Sequence, residues 1–309
     1  MRLSRRKLLV AACLIGLGVS GLAQQVADPD FDPKVAKPAY AKKHPKVFID
    51  EAHNNFHTAS GRYKPFADLI TNDGYQVIPN KQKFSKKALE GCDVLVISNA
   101  LGAPMMGSAE ASNSAFTEDE CDVVRDWVRA GGNLLLIADH APMGAANEKM
   151  GQRIGVDMSK GYTGDPVNRD EVTKSDTFLK YDRDNKLLGD HPITRGRDAS
   201  ERISKVIAFT GQSIKGPEGS VAFMRLADTA VDLTPARPGS EAKETSAAGR
   251  AQGLAFKVGK GRVVVMGEAG MLSAQIAGPQ KLKFGMNRTD TDNKQLALNI
   301  MHWLSGLLK

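Results

Sequence analysis

The sequence predicts an α/β fold with a mainly parallel sheet and a late antiparallel hairpin. Residues 46–79 contain a short apolar run, a helical period and a second apolar run, which is the order of a βαβ unit. Residues 93–99 and 133–138 are nearly continuous in apolar residues, as expected of strands that a parallel sheet buries on both faces. The Gly-Lys-Gly stretch at 259–261 separates two further strand-like runs and indicates a hairpin turn.

Local sequence patterns place the elements of this fold in order. The predicted helix at 62–72 carries its apolar residues on one face and ends at Asp73-Gly74. A second helix begins at the capping box of Thr117 and Glu120. The remaining expected elements are strands at 46–50, 75–79, 206–210, 221–226, 254–258 and 262–266 and a C-terminal helix at 292–304.

The chain divides into three parts. Residues 1–23 combine a basic start, an apolar run and small residues at the end, a pattern that predicts a secretory signal peptide. Its paired arginines leave export by the Tat or the Sec route open, and the short apolar run before Cys13 makes a lipoprotein anchor the less favoured alternative. Residues 24–45 contain four prolines and no period, so we expect an extended linker. Residues 46–309 are expected to form a single α/β domain, with a loop-rich excursion around 160–200.

Composition limits the class of partner. The chain has 42 basic and 35 acidic residues, and four of the basic residues lie in the predicted signal peptide. The remaining balance of 38 to 35 is too even to indicate nucleic-acid binding. Beyond the signal peptide no apolar run approaches about 18 residues, so we expect no membrane span in the mature chain. The sequence leaves open whether Cys92 and Cys121 pair or are two buried thiols.

Polar residues follow the C-terminal ends of several predicted strands. Because ligands of open α/β sheets bind beyond the carboxyl ends of the strands, we expect these residues to form one site. They are Asp50, Glu51, His53, Asn54 and His57 after the first strand, Asn99 after the third, Asp139 and His140 after the fourth, and Glu268 after the last.

Asp139, His140 and Glu268 are the candidate catalytic residues. His140 is expected to act as a general base or a ligand, with Asp139 as the carboxylate that orients it or binds beside it. Glu268 is expected to be an acid, a ligand or, alternatively, a partner of a helix N-terminus. The alternative for Asp139 and His140 is a polar strand end that caps neighbouring backbone. The candidate ligand-binding residues are Asp50, Glu51, His53, Asn54, His57 and Asn99.

His53, His57 and His140 are the candidate metal ligands. His53 and His57 are four residues apart, a spacing that would direct both imidazoles the same way on a helical turn. A third ligand from Asp139 or His140 would complete a site for a divalent metal such as zinc, although no H-E-x-x-H motif is present. The alternative is that the two histidines hydrogen-bond the loop that carries them and order it.

Four stretches give the chain a resemblance to a known superfamily. They are V-F-I-D-E-A-H-N-N-F-H at 47–57, L-L-L-I-A-D-H-A-P-M-G at 134–144, G-K-G-R-V-V-V-M-G-E-A at 259–269 and D-N-K-Q-L-A-L-N-I-M-H-W-L-S-G at 292–306. Over about residues 46–308 the chain resembles the class I glutamine amidotransferase-like superfamily, in a branch of exported bacterial proteins that includes the DUF4350 group. The resemblance implies a flavodoxin-like three-layer sandwich with a site at the C-terminal edge of the sheet.

The resemblance also shows where this chain departs from its superfamily. Members with amidotransferase activity carry a cysteine on the nucleophile turn, with a histidine and a glutamate further along. The matching turn here carries Asp139 and His140, while Cys92 and Cys121 fall elsewhere. We therefore expect no glutamine hydrolysis by the Cys-His-Glu triad.

These patterns together predict an exported hydrolase-like protein that acts on a polar substrate, a glycan or a peptide of the envelope or of nutrients. Asp139 and His140 would perform the acid–base or metal chemistry. The alternative is a non-catalytic domain of the same fold that binds a small polar ligand, a saccharide or a partner protein at the same edge. In a third interpretation, the polar residues only brace their loops.

Overall fold

The protein has a mixed α/β fold with one large sheet and few helices. The computed structural model describes residues 25–234 and 242–309. The predicted signal peptide at 1–23 lies outside these residues, so its cleavage and export route stay predictions.

The elements that the apolar periods predict are present, and further short strands and helices lie between them. In chain order the helices are α1 (Lys64–Asn72), α2 (Glu118–Ala130), α3 (Met143–Ala146), α4 (Glu148–Arg153), α5 (Pro192–Arg195) and α6 (Asn293–Leu304). The strands are β1 (Val26–Ala27), β2 (Lys46–Asp50), β3 (Gln76–Asn80), β4 (Val94–Ser98), β5 (Asn133–Ile137), β6 (Asp157–Met158), β7 (Tyr162–Gly164), β8 (Lys180–Asp182), β9 (Lys205–Ile207), β10 (Ile214–Lys215), β11 (Val221–Arg225), β12 (Val231–Thr234), β13 (Lys243–Ser246), β14 (Ala251–Val258), β15 (Gly261–Met266), β16 (Ala274–Ala277) and β17 (Leu282–Gly285).

The large sheet joins nine of the described strands in the order β3-β2-β4-β5-β15-β14-β10-β6, with β11 also paired to β14. The pairs from β3 across to β15 are parallel, and the pairs that involve β14, β10, β6 and β11 are antiparallel. The predicted hairpin is confirmed as β14 and β15. The sheet is mixed and not mainly parallel, because every strand added beyond this hairpin pairs antiparallel.

Helices pack on both faces of the parallel half of the sheet. Side chains alternate between the faces along each strand, so neighbouring residues such as Leu134 and Leu135 enter different core clusters. Helices α1 and α6 cover one face and α2 covers the other. The capping box of α2 is present as predicted: the Thr117 side chain accepts from the Glu120 amide, and Glu120 accepts from the Thr117 amide.

The segment at 160–200 contains β7, β8 and α5 between turns. Strand β7 belongs to a second sheet in the order β13-β12-β7, and β8 pairs with β9. Arg288 donates to both carboxylate oxygens of Asp170 at 2.9 and 3.0 Å, and this bidentate pair holds the excursion to the residues after β17.

The segment at 25–45 lies along the domain. Strand β1 pairs antiparallel with β16, so Val26 is opposite Ile276. Phe31, Val35 and Tyr40 are partly buried against the main core. The first described residues thereby reach the region of the candidate site.

Cys92 and Cys121 are free and buried. Burial raises the pKa of the Cys92 thiol to about 12 and that of the Cys121 thiol to about 11, so the alternative of two inert buried thiols is the one the structure has. Among the described residues, no helix combines the length and the apolarity needed to cross a bilayer.

Candidate functional site

The ends of β4 and β5 meet at Asn99 and Asp139. The backbone amide of Asp139 donates to Asn99 Oδ1 at 2.9 Å, and the amide of His140 donates to Asp139 Oδ1 at 2.7 Å. Asn99 adopts a positive φ of 50°, a left-handed conformation that asparagine tolerates better than most residues. These hydrogen bonds join the two strand ends, and the Asp139 carboxylate is buried.

His140 has one ring nitrogen committed to the backbone. Its Nδ1 lies 2.7 Å from the Ala141 carbonyl oxygen, which can only accept, so Nδ1 carries the proton. The lone pair of the neutral ring is then on Nε2, and no described residue hydrogen-bonds to that atom. The ring stacks on Tyr162 with centroids 4.5 Å apart and planes at 17°. This contact fixes the imidazole plane while Nε2 remains available as a base.

Glu268, after β15, is fully buried beside Asp139. Its carboxylate accepts hydrogen bonds from the amides of Gly270 and Met271. Burial raises the pKa of Glu268 well above its ordinary value, and the negative charge of Asp139 raises it further. Burial also raises the pKa of Asp139. Because both carboxyls are buried and their charges interact, one proton kept on the pair is favoured over two negative charges.

His57 lines the same cavity as Asn99, Asp139 and His140. Its ring stacks on Tyr63 at 4.5 Å, and its Nδ1 is 3.2 Å from Ser98 Oγ. Burial, together with the positive charge of Arg62, lowers the pKa of His57 to about 3. The residue is therefore a neutral imidazole at physiological pH.

A small cavity joins four of the predicted residues. Its volume for the centres of water-sized molecules is about 20 Å³, which is room for roughly one water. His57, Asn99, Asp139 and His140 line it. Its other walls include Gln25, Gln275, Phe56, Phe209, Phe284 and Met106.

Asp50 and His53 belong to a different network. His53 Nδ1 lies 2.9 Å from both carboxylate oxygens of Asp50, and His53 Nε2 lies 2.9 Å from Glu120 Oε1. The fully buried imidazole packs between Phe84 and Phe116 on the face that α2 covers. This network ties the end of β2 to the start of α2, so these two predicted site residues brace the fold and do not line the cavity.

Glu51 and Asn54 also brace the loop after β2. Glu51 Oε1 accepts from the Ala59 amide at 2.9 Å, and Asn54 Nδ2 donates to the Leu101 carbonyl at 3.3 Å. Neither residue lines the cavity. Their part in ligand binding stays a prediction.

The three histidines do not share a metal site. Within residues 25–234 and 242–309, no group of three or more His, Cys, Asp or Glu side chains is placed to hold a metal ion. Both ring nitrogens of His53 are engaged by carboxylates, and His53 and His57 pack into clusters on opposite faces of the sheet. The i, i+4 spacing fails here because the loop that carries them is not helical. The structure therefore does not bring His53, His57 and His140 together as the sequence predicted.

Several residues of the site were not found from the sequence. Tyr162 belongs to the excursion, where no period or motif marks it, and Gln25 and Gln275 come from β1's leading end and β16. Gln212 donates to the carbonyls of Ala138 and Asp139 at 2.9 and 3.1 Å and so holds the turn after β5. Only Glu120 carried a local signal, its place in the capping box, which does not reveal its contact with His53.

Comparisons with known proteins give a likeness of fold. No family model matches the chain, and no curated protein matches it. A solved structure described as the mmIFT52 N-terminal domain is 14% identical, covers 84% of this chain and 97% of its own, and has a TM-score of 0.55. That likeness shows the fold alone.

Two further solved structures are less similar. A GMP synthase-type protein of Thermoplasma acidophilum is 12% identical over 86% of this chain and 96% of its own, with a TM-score of 0.42. A ThuA-like protein of Bacteroides uniformis is 13% identical over 87% and 95%, also with a TM-score of 0.42. The assignment to the amidotransferase-like superfamily and to its DUF4350 branch stays a prediction.

Proposed function

We propose that this chain is an exported, hydrolase-like protein that acts on a polar glycan or peptide substrate of the envelope or of nutrients. Asp139, His140 and Glu268 would perform acid–base chemistry at the cavity. The observation that carries the proposal is the position of a buried carboxyl pair beside an imidazole whose Nε2 has no partner among the described residues.

The site has a suitable group for the general base and another for the general acid. His140 Nε2 has the lone pair, and the stacking on Tyr162 fixes its direction, so it suits the activation of a water molecule. The raised pKa values of Asp139 and Glu268 favour retention of a proton on the pair, and Asp139 lines the cavity. That proton can pass to a leaving group through Asp139. The mechanism needs no cysteine nucleophile.

We also propose that the fold is a flavodoxin-like three-layer sandwich and that the chain divides into a signal peptide, a linker and one domain. The packing of α1 and α6 on one face and α2 on the other supports a flavodoxin-like three-layer sandwich of the amidotransferase-like type. In that frame Asp139 and His140 occupy the turn on which the superfamily carries its cysteine. Residues 1–23 would be removed as a signal peptide after Tat or Sec export, with 24–45 as a linker segment and 46–309 as the domain.

The second candidate is a non-catalytic domain that binds a ligand at the same edge. The observation in its favour is the small volume of the cavity, about 20 Å³, which admits a water but no sugar or peptide in this conformation. A binding domain that closes over its ligand would show the same burial of polar groups.

The test is hydrolysis by the purified chain of peptidoglycan fragments, oligosaccharides and short peptides, with products identified by mass spectrometry. We expect the variants His140→Ala and Asp139→Asn to lower the rate at least ~100-fold, as for loss of a general acid or base. The matched control is His44→Ala, since His44 is an exposed histidine that does not line the cavity. Unchanged hydrolysis in both site variants contradicts the proposal, and ligand binding without any hydrolysis favours the second candidate.

A further inference from the structure

Three carboxamide side chains line the cavity beside Asp139: Gln25, Asn99 and Gln275. Gln25 is 8% exposed, and Asn99 and Gln275 are each 1% exposed. They come from the segment before β1, the end of β4 and strand β16, which are far apart in the sequence. Three buried amides from separate elements at one cavity indicate a built polar surface.

Two of these amides have an atom without a partner. Asn99 Oδ1 accepts from the Asp139 amide, so the orientation of the Asn99 side chain is fixed and Nδ2 is its remaining donor. Asn99 Nδ2 and Gln275 Oε1 are buried and make no hydrogen bond with any described residue. Buried polar atoms are nearly always paired, so a donor and an acceptor left unpaired at the same cavity call for a group that supplies both.

The charge of the cavity wall disfavours anionic ligands. Among the described residues no lysine or arginine lines the cavity, and Asp139 is its only carboxylate. His57 is neutral because burial lowers its pKa to about 3. Arg62 stacks on the wall residue Phe56, with its guanidinium carbon 4.0 Å from the ring centroid, but it does not line the cavity. An anionic ligand would therefore meet the Asp139 carboxyl without a cation in direct contact, which is unfavourable in a buried site.

The apolar part of the wall is aromatic. Phe209 and Phe284 stack with centroids 4.2 Å apart and planes at 23°, and Phe56 also lines the cavity. Apolar and aromatic walls with a few fixed polar groups are typical of sites for small molecules. Such walls suit the C–H face of a sugar ring, while the amides and Asp139 suit its hydroxyls.

We infer that the cavity is a subsite for an uncharged saccharide, recognised by Asn99, Gln275 and Asp139. A hydroxyl donates and accepts through one oxygen, so it can pair with both Asn99 Nδ2 and Gln275 Oε1 in a narrow space. A peptide group separates its donor from its acceptor on opposite sides. The inference rests on the proposed function for the location of the site, and it narrows the substrate from a glycan or a peptide to a neutral sugar.

Entry of a sugar requires one wall to move, since the cavity holds roughly one water. Gln25 belongs to the N-terminal strap, which we define as residues 25–28. The strap is joined to β16 through two residues of β1 and to Arg62, whose Nε donates to the Gln25 carbonyl at 3.1 Å. Its other side-chain anchor is Asp28, which accepts from Asn287 Nδ2 at 2.7 Å. Among the cavity walls, the strap is therefore a short element that can move without disrupting the large sheet.

The experiment measures binding to the full chain by calorimetry and ligand-observed NMR. The probes are the methyl glycosides of glucose, galactose, mannose and N-acetylglucosamine, each compared with glucuronate or galacturonate. We expect at least one neutral glycoside to bind and the acids to bind at least ~10-fold more weakly, because their charge would face the Asp139 carboxyl without a direct cationic partner. The variant Asn99→Asp removes the Nδ2 donor and Gln275→Met removes the Oε1 acceptor, each at similar size, and each should weaken binding by a similar factor. Gln76→Met, on the exposed surface of β3, is the matched control.

The outcomes separate this inference from the proposed function. Binding of no neutral glycoside, tighter binding of the acids, or unchanged binding in both amide variants overturns the inference. Circular dichroism and unfolding curves of the variants show whether lost binding comes from lost folding. Neutral-sugar binding without hydrolysis of any glycan contradicts only the proposed function, and hydrolysis of peptides without sugar binding contradicts only the inference.

Discussion

His57 shows how burial sets the chemistry of single residues in this site. Its ring lies between Tyr63, at 4.5 Å, and Phe56, at 5.2 Å, so a positive charge on the ring would lose most of its hydration. Burial raises the pKa values of Asp139 and Glu268, because a carboxyl is neutral when it is protonated. Burial thus favours the neutral form of each group, and each makes stability depend on pH.

We expect His57 to weaken the fold in acid. Its folded pKa is about 3 against an ordinary 6.5, so below pH 6.5 the unfolded chain binds a proton that the folded chain does not bind. The free energy of unfolding should fall by up to ~1.4 kcal/mol per pH unit as pH decreases through this window. In His57→Gln the fall between pH 7 and pH 4.5, measured by urea unfolding, should be smaller by ~1–3 kcal/mol. His44→Gln is the control, and an unchanged pH dependence in His57→Gln would contradict the burial argument.

Glu268 should destabilise the fold as pH rises, whereas His57 destabilises it as pH falls. Its folded pKa is raised, so as pH rises above 4.5 the unfolded chain releases a proton that the folded chain keeps. Stability therefore decreases with rising pH, by at most ~1.4 kcal/mol per pH unit for this one proton. We expect Glu268→Gln to gain stability relative to the natural chain as pH rises from 4.5 to 8, in urea unfolding. The exposed Glu218→Gln should show no such trend, and a Glu268→Gln chain that loses relative stability with rising pH would refute the assignment.

At the residue scale the sequence predicted where the site lies better than how its side chains are directed. His57, Asn99, Asp139 and His140 could be grouped because the carboxyl ends of neighbouring parallel strands meet at one edge. His53 could not be separated from His57, since the direction of a loop side chain depends on distant partners such as Glu120. The same holds for Tyr162, which contacts His140 from an excursion without a sequence period.

At the scale of elements, the buried Asp50–His53–Glu120 network joins a strand to a helix. Glu120 Oε1 accepts from the Phe84 amide at 3.1 Å and approaches His53 Nε2 at 2.9 Å, while Oε2 accepts from the Thr117 amide at 3.0 Å. One carboxylate therefore caps α2, fixes the loop at 84 and pairs with the imidazole. The sequence predicted the first of these roles because a capping box is local, and missed the others because they span 36 and 67 residues.

Removal of Glu120 should be costly. Glu120→Ala leaves the Phe84 and Thr117 amides and His53 Nε2 without their acceptor, in a region where His53 is fully buried. We expect a loss of ~2–5 kcal/mol in the free energy of unfolding, the range for a broken buried pair. Glu118→Ala in the same first turn is the matched control, since Glu118 forms only surface ion pairs with Lys149 and Arg153 and should change stability little. Equal effects of the two substitutions would show that the network is unimportant.

At the scale of the whole molecule, the start of the described chain contacts residues 274–287 beside the candidate site. Asp28 accepts from Asn287 Nδ2 at 2.7 Å, 259 residues away, and its amide donates to the Ala274 carbonyl at 2.9 Å. The parallel half of the sheet was predictable because each βαβ step is local and strongly periodic. In the antiparallel half the β14–β15 hairpin was predictable, but β1, β6 and β10 were not, because two-residue strands are too short to show a period.

Asp28 should therefore control access to the cavity. It is 5% exposed and anchors the strap through Asn287 Nδ2 and, at 3.6 Å, Lys283 Nζ. In Asp28→Ala we expect Gln25 to leave the cavity wall more often, because the strap is then held only by the two-residue strand β1, the amide of residue 28 and Arg62. His140 should then react faster with diethyl pyrocarbonate, as followed by peptide mapping, while the unfolding midpoint changes only modestly. Asp30→Ala, an exposed acid two residues away, is the control. A labelling rate of His140 equal to that of the natural chain would mean that another wall opens the cavity.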